Sequence, residues 1–115
     1  MAMLYFSYSE PAMIDEIALH REELRDLCRR YHVLRLDLIG SAARDDFDPE
    51  RSDVDFLVEF DRAHPEAMSF DTYFGLKESL ERLLGRPVDL VESSAVRNPY
   101  LKAEFEQSRV ALFEA

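Results

Sequence analysis

Basic residues are scarce in this 115-residue chain: 14 Lys and Arg stand against 24 Asp and Glu, a formal net charge of −10. A nucleic-acid backbone is held chiefly by neutralising its phosphates, which takes a basic stripe. The composition supplies none, so direct nucleic-acid binding is not expected, and phosphate chemistry has to run through a metal ion and a small local site. Cysteine is nearly absent as well. Cys28 alone cannot close an internal disulfide, which fits a reducing compartment. Its place in a helical apolar pattern makes it a core residue rather than a nucleophile. The N-terminal segment lacks a basic stretch followed by an apolar run, and nothing reaches the length of a membrane span. A soluble, cytoplasmic protein with no membrane partner is expected. Repeats, low-complexity tracts and linkers are also missing, so one domain over residues 1–115 is expected. With 8 Phe, 5 Tyr and a hydrophobic fraction of 47%, the chain can fill one core without covalent staples.

The chain then divides by periodicity. Pro11 with Asp15 and Glu16 opens a helix, and Ile14, Ile17, Leu24, Leu27, Cys28 and Tyr31 form one stripe, which predicts a single amphipathic helix over 11–31. Val33 to Ile39 reads as a strand with Leu34, Leu36 and Leu38 on one face and Arg35 and Asp37 on the other. Ala42 to Ser52 reads as one helical turn and a loop. Asp53 to Phe60 is the cleanest strand in the chain, with Val54, Phe56, Val58 and Phe60 on one face and Asp53, Asp55, Leu57 and Glu59 on the other. A helix over Phe70–Leu84 stopped by Gly85, a strand over Pro87–Val91, a helix over 98–107 and a short strand over Val110–Phe113 complete the order. The fold class is therefore α/β (α+β), a small mixed sheet with helices on one face and acids on the other.

Those acids carry the chemistry. Asp53 and Asp55 stand at i and i+2 of a strand and point the same way, while Val54 and Phe56 pin the opposite face to the core. Asp89, between Val88 and Leu90, takes the same kind of position on the third strand. Convergent carboxylates repel unless a cation neutralises them, and hard oxygen ligands with room for water and phosphate suit Mg²⁺. Two such ions can hold the attacking and the leaving oxygen of a nucleotidyl transfer. Gly40-Ser41, at the end of the preceding strand, offers close backbone approach and a hydroxyl for phosphate oxygens, and Arg44 stands one turn further on.

Gly40-Ser41, eleven residues, then Asp53-Val54-Asp55 resembles the signature of the DNA polymerase beta-like nucleotidyltransferase superfamily. Within it, LIGSAARDDFDPERSDVDFLVEF is similar to the minimal nucleotidyltransferases, the MNT antitoxins that partner HEPN toxins. The resemblance implies a minimal palm in which Gly40, Ser41 and Arg44 hold the nucleotide triphosphate. It implies that Asp53, Asp55 and Asp89 bind Mg²⁺ and carry catalysis, Asp89 helping to activate the attacking hydroxyl. It further implies transfer of AMP from ATP to a tyrosine of a HEPN toxin. Two departures stand out: the spacing between the motifs is one residue longer than the commonest form, and Asp45 stands where many relatives have glycine. Both point to weaker nucleotide binding rather than a dead enzyme.

The remaining features read as structure. His20, His32 and His64 lie on three separate elements and are not expected to form a ligand cluster. Phe70, Tyr73 and Phe74 read as core or a hydrophobic rim, Tyr100, Leu101 and Phe105 as core first and partner surface second. Asp45, Asp46, Asp48 and Glu50 read as a solvated loop, and Glu59 lies too far along its strand for a direct metal role. The competing reading is a catalytically weak or inactive antitoxin that neutralises its toxin by contact alone. Transfer to a small molecule such as an aminoglycoside ranks last, because no second substrate-binding domain is visible. Which base, acceptor and oligomeric state apply, a homo-oligomer included, stays open.

Overall fold

The computed structural model describes residues 13–44 and 53–115. Helices α1 (Met13–Ala18) and α2 (Arg21–Arg30) lead into β1 (Val33–Ile39), followed directly by the short helix α3 (Gly40–Arg44). Strand β2 (Val54–Phe60) runs into a 3₁₀ turn (Pro65–Met68) and helix α4 (Phe70–Leu84). Strand β3 (Val88–Glu92), a second 3₁₀ turn (Ser93–Ala95), helix α5 (Pro99–Ser108) and β4 (Val110–Glu114) end the chain. The sheet order is β3-β2-β1-β4; β1 is antiparallel to β2 and to β4, and β2 is parallel to β3 across the α4 crossover. This is the mixed sheet expected from the sequence.

The core sits on one face. Leu36, Leu38, Val54, Phe56 and Val58 are fully buried against Cys28 of α2 and Leu76 and Leu80 of α4. Each such aliphatic or aromatic side chain contributes about 1.5–3 kcal/mol by leaving water. Helix α4 has the predicted bounds because its ends are defined chemically. Ser69 caps it by accepting from the Thr72 amide, and Gly85 takes φ +68 at the other end. Cys28 is a core residue as expected, and burial pushes its thiol up to about 12.

Two local readings need correction. The stripe over 11–31 is broken: the amide of Leu19 reaches Asp15 and Glu16 and that of His20 reaches Ile17, a tightened turn separating α1 from α2. Between buried Ile17 and buried Leu24, Ala18, Leu19 and Arg21 are exposed and His20 is half-buried, so no buried apolar side chain holds that turn to the core. In β1 the register slips between Val33 and Arg35, leaving Leu34 as a bulge. The slip turns Val33 into the core and Leu34 outward, where it is 40% exposed. Just before the bulge, His32 takes φ +59 at the exit of α2. That conformation costs an L-residue about 1–2 kcal/mol relative to glycine.

Candidate active site

The acid face is built by strand register. On this face β1 places Ile39 opposite Asp55 of β2, and β2 places Asp55 level with Asp89 of β3. Asp53 precedes β2 directly, and the next amide, that of Val54, donates to the Pro87 carbonyl, tying the starts of the two parallel strands together. Asp55 and Asp89 are thus neighbours on adjacent strands, with Asp53 at the same end of the sheet. Asp55 is half-buried, whereas Asp53 and Asp89 are exposed.

Gly40 closes the site from above. It takes φ +72, and a Cβ on it would stand 2.4 Å from Oδ2 of Asp55 and 3.2 Å from its Cγ. The backbone at the start of α3 therefore sits directly on the Asp55 carboxylate, an approach open to glycine alone. Ser41 follows in the first turn of α3 and is half-buried. The backbone of Arg44 ends α3, but its side chain lies outside the described residues, as do Asp45, Asp46, Asp48, Glu50 and the lengthened loop.

Oxygen donors of this kind, held at one end of the sheet beside a glycine-lined approach, fit Mg²⁺ with water and phosphate completing its shell. Among the described residues, the set of three ligand-type groups with all ligand atoms within 4.8 Å is His32, His64 and Glu66; the aspartates do not form a second. Three like charges on one face keep apart, and drawing them together takes a cation. The expectation that the histidines stand apart is corrected for His32 and His64 only. His32 and His64 do meet, because the turn before β1 and the loop after β2 lie side by side at one end of an antiparallel pair.

Further along the same face, α5 covers the sheet and leaves a cleft of ≈ 210 Å³ lined by Arg35, Asp37, Leu57, Glu59, Phe105 and Arg109. That is below the roughly 300–1,000 Å³ usual for small-molecule sites. Glu59 lies in this cleft, two rows from Asp55 along the strand. Tyr100 and Leu101 of α5 are 85% and 40% exposed, so the expectation that they are core is corrected; their helix lies over the polar face and turns them to solvent. Phe70 and Phe74, 81% and 49% exposed, form a rim beside a pocket that also takes in Tyr73. The Tyr73 hydroxyl donates to the Leu90 carbonyl, and burial, then the charge of Asp89, push its phenol up.

Sequence alone missed Asp37, which is 1% exposed under α5. Arg35 Nε lies 3.1 Å and Arg109 Nη1 3.7 Å from its Oδ2. Burial raises the Asp37 carboxyl, and the two arginines pull the other way without cancelling it. A folded pKa above the unfolded one gives stability that is full below the unfolded pKa and lost as pH rises through the folded one. Urea unfolding of wild type and Asp37→Asn from pH 3.5 to 7 checks this. The difference between them is expected to move in favour of the variant as pH rises, all other carboxylates cancelling in the comparison.

The nucleotidyltransferase domain family model matches residues 20–112, a span containing all six candidate site residues. A Methanocaldococcus jannaschii protein provisionally named a protein adenylyltransferase is 38% identical over 91 residues, 79% of this chain and 85% of that protein. A solved structure provisionally described as a minimal nucleotidyltransferase superposes with a TM-score of 0.70 at 29% identity, covering 89% of this chain and 97% of that one. A chain from the complex of tri-AMPylated Shewanella oneidensis HEPN toxin with MNT antitoxin superposes with a TM-score of 0.59 at 18% identity, over 85% of this chain and 72% of that one. At that identity the likeness is one of fold.

Proposed function

The chain belongs to the nucleotidyltransferase domain family, and from that premise we propose that it transfers AMP from ATP to a tyrosine hydroxyl of a HEPN toxin, acting as its antitoxin in the cytoplasm. The observation that carries this is the register of Asp55 beside Asp89 under the Gly40 backbone. The protein adenylyltransferase name of the archaeal relative and the AMPylated toxin in the complex of like fold support the choice of group and acceptor. Among the described residues, no helix is long and apolar enough to cross a membrane.

In this reading Asp53, Asp55 and Asp89 hold Mg²⁺, which when bound neutralises the triphosphate and the charge that develops on its oxygens. Gly40 lets the chain approach the phosphates without a side chain between, and the Ser41 hydroxyl donates to one of their oxygens. Arg44 adds a charged donor from the next turn. Asp89 takes the proton of the attacking tyrosine hydroxyl. The new bond runs from that oxygen to the α-phosphorus, the bond to the β-phosphate bridge breaks, and pyrophosphate leaves. The small domain supplies positioning and charge, and the partner supplies the nucleophile.

The test titrates the chain with ATP and GTP, with and without Mg²⁺, then follows AMP on the partner toxin by mass. Metal-dependent ATP binding and a mass gain of one AMP per modified tyrosine are expected, both lost in Asp53→Ala with Asp55→Ala. Full-rate modification by that double variant overturns the proposal. The exposed Phe70, Phe74 and Tyr100 favour a second reading, neutralisation by contact alone. Under it, toxin neutralisation survives loss of all three acids.

A further inference from the structure

At the end of the sheet away from the aspartates, three elements bring together side chains that nucleotidyl transfer does not use. Strands β1 and β2 are antiparallel, so His32, before β1, lies beside the segment that follows β2. The Asp61 amide donates to the His32 carbonyl at 2.8 Å, and the Asp61 side chain accepts from the Ala63 amide, folding the loop back over the turn. The His64 ring then stacks on His32 with centroids 4.5 Å apart and planes 22° from parallel. Nε2 of His32 is 3.6 Å from Glu66 Oε2, and Nε2 of His64 is 3.8 Å from Asp61 Oδ2. One ligand atom from each of His32, His64 and Glu66 falls within 4.8 Å of the other two.

We propose that His32, His64 and Glu66 bind a divalent transition-metal ion of the zinc type. Two imidazoles and one carboxylate are a donor set for such an ion, whereas Mg²⁺ prefers oxygen alone. Closure onto one ion takes a rotation of the His64 ring, whose side chain is 51% exposed and has room to turn. Asp61 stands ready to orient His64 through its other nitrogen or to serve as a fourth oxygen. The backbone at His32 points the same way. Its φ of +59 is one that glycine adopts without strain, and the chain carries an imidazole there instead. The seven residues of β1 separate this cluster from Gly40, a distance of roughly 20 Å at the usual strand rise. The ion would thus clip the turn after α2 to the start of the α4 crossover, independent of the aspartate site.

The experiment uses the untagged, chelator-treated full chain and Zn²⁺ in competition with a chromophoric chelator. One tightly bound ion per chain is expected, with two imidazole ligands in the X-ray absorption spectrum. His64→Ala should weaken it by more than about 100-fold, beyond what loss of an outer-sphere partner costs. His32→Gly should do the same while keeping its circular dichroism, because glycine suits the backbone at 32. Added Zn²⁺ should raise the thermal midpoint of wild type and leave that of His32→Gly unmoved. Asp53→Ala with Asp55→Ala should bind Zn²⁺ as wild type does. Binding that survives both histidine changes, or that disappears with the aspartate pair, or that is no tighter in wild type than in His32→Gly, overturns the proposal. None of these outcomes bears on AMP transfer.

Discussion

Gly40→Ala is expected to reduce AMP transfer by about 100-fold or more while removing no group that touches nucleotide or metal. A methyl at residue 40 meets Asp55 Oδ2 at 2.4 Å, far inside van der Waals contact, so either α3 lifts or the carboxylate turns away. Displacement of a positioned group by about 1 Å costs roughly 100-fold in rate. The same change places an alanine at φ +72, adding about 1–2 kcal/mol of backbone strain. Gly85→Ala separates the two effects. Gly85 also sits at positive φ, +68, but a Cβ there has nothing within 4 Å. Both variants are expected to lose similar stability in urea, and only Gly40→Ala to lose transfer. Equal activity in the two would mean that Asp55 is not held by the Gly40 backbone.

What could be read from the chain follows the range of the interactions involved. Strand β2 was legible because its alternation is strict and local: Val54, Phe56, Val58 and Phe60 are buried and the intervening residues are not. Helix α4 was legible because its apolar stripe ends at a glycine. Strand β1 was legible in phase from Arg35 to Leu38, with Leu36 and Leu38 in the core, but not at its start. The bulge at Leu34 is set by pairing with Glu59 and Phe60, twenty-odd positions away, and nothing in Val33–Ile39 announces it. The same holds for Asp37, which shares a face with Arg35 by periodicity and reads as solvated. Its burial comes from α5, whose packing over that face is a tertiary fact.

The site divides along the same line. Asp53 and Asp55 face one way by strand geometry alone, so their pairing was in the sequence. That Asp89 lies level with Asp55 needed the parallel alignment of β2 and β3, which the α4 crossover permits but does not fix to the residue. The closeness of Gly40 to the acids was expected from its place between the two strands and takes its physical form only in three dimensions. His32 and His64 were dismissed because sequence spacing suited no ligand pattern. Their contact depends on two connections at one end of an antiparallel pair, where residues 32 apart in the chain become neighbours.

The register of the two parallel strands also separates the expected effects of Asp55→Asn and Asp89→Asn. Asp55 lies between β1 and β3, half-buried and against the Gly40 backbone, where a charge on the phosphate-bearing metal would be felt throughout binding and transfer. Replacing one of its oxygens by an amide group removes that charge without changing shape. Asp55→Asn is expected to lose metal-dependent ATP binding and transfer together. Asp89, on the edge strand β3 and exposed, is in the proposed mechanism the acid that takes the proton of the incoming hydroxyl. If its main part is to take the proton, Asp89→Asn keeps ATP affinity within a few-fold and loses turnover by about 10²–10⁴, the usual worth of a general base. Raising the pH should then recover part of the lost rate in Asp89→Asn, because a tyrosine acceptor ionises unaided near pH 10, and recover none in Asp55→Asn. Binding titration and single-turnover AMP transfer, run on both variants across pH 7 to 9.5, give the two patterns. Loss of ATP binding in Asp89→Asn equal to that in Asp55→Asn would make Asp89 a metal ligand first and would leave the proton to another acceptor.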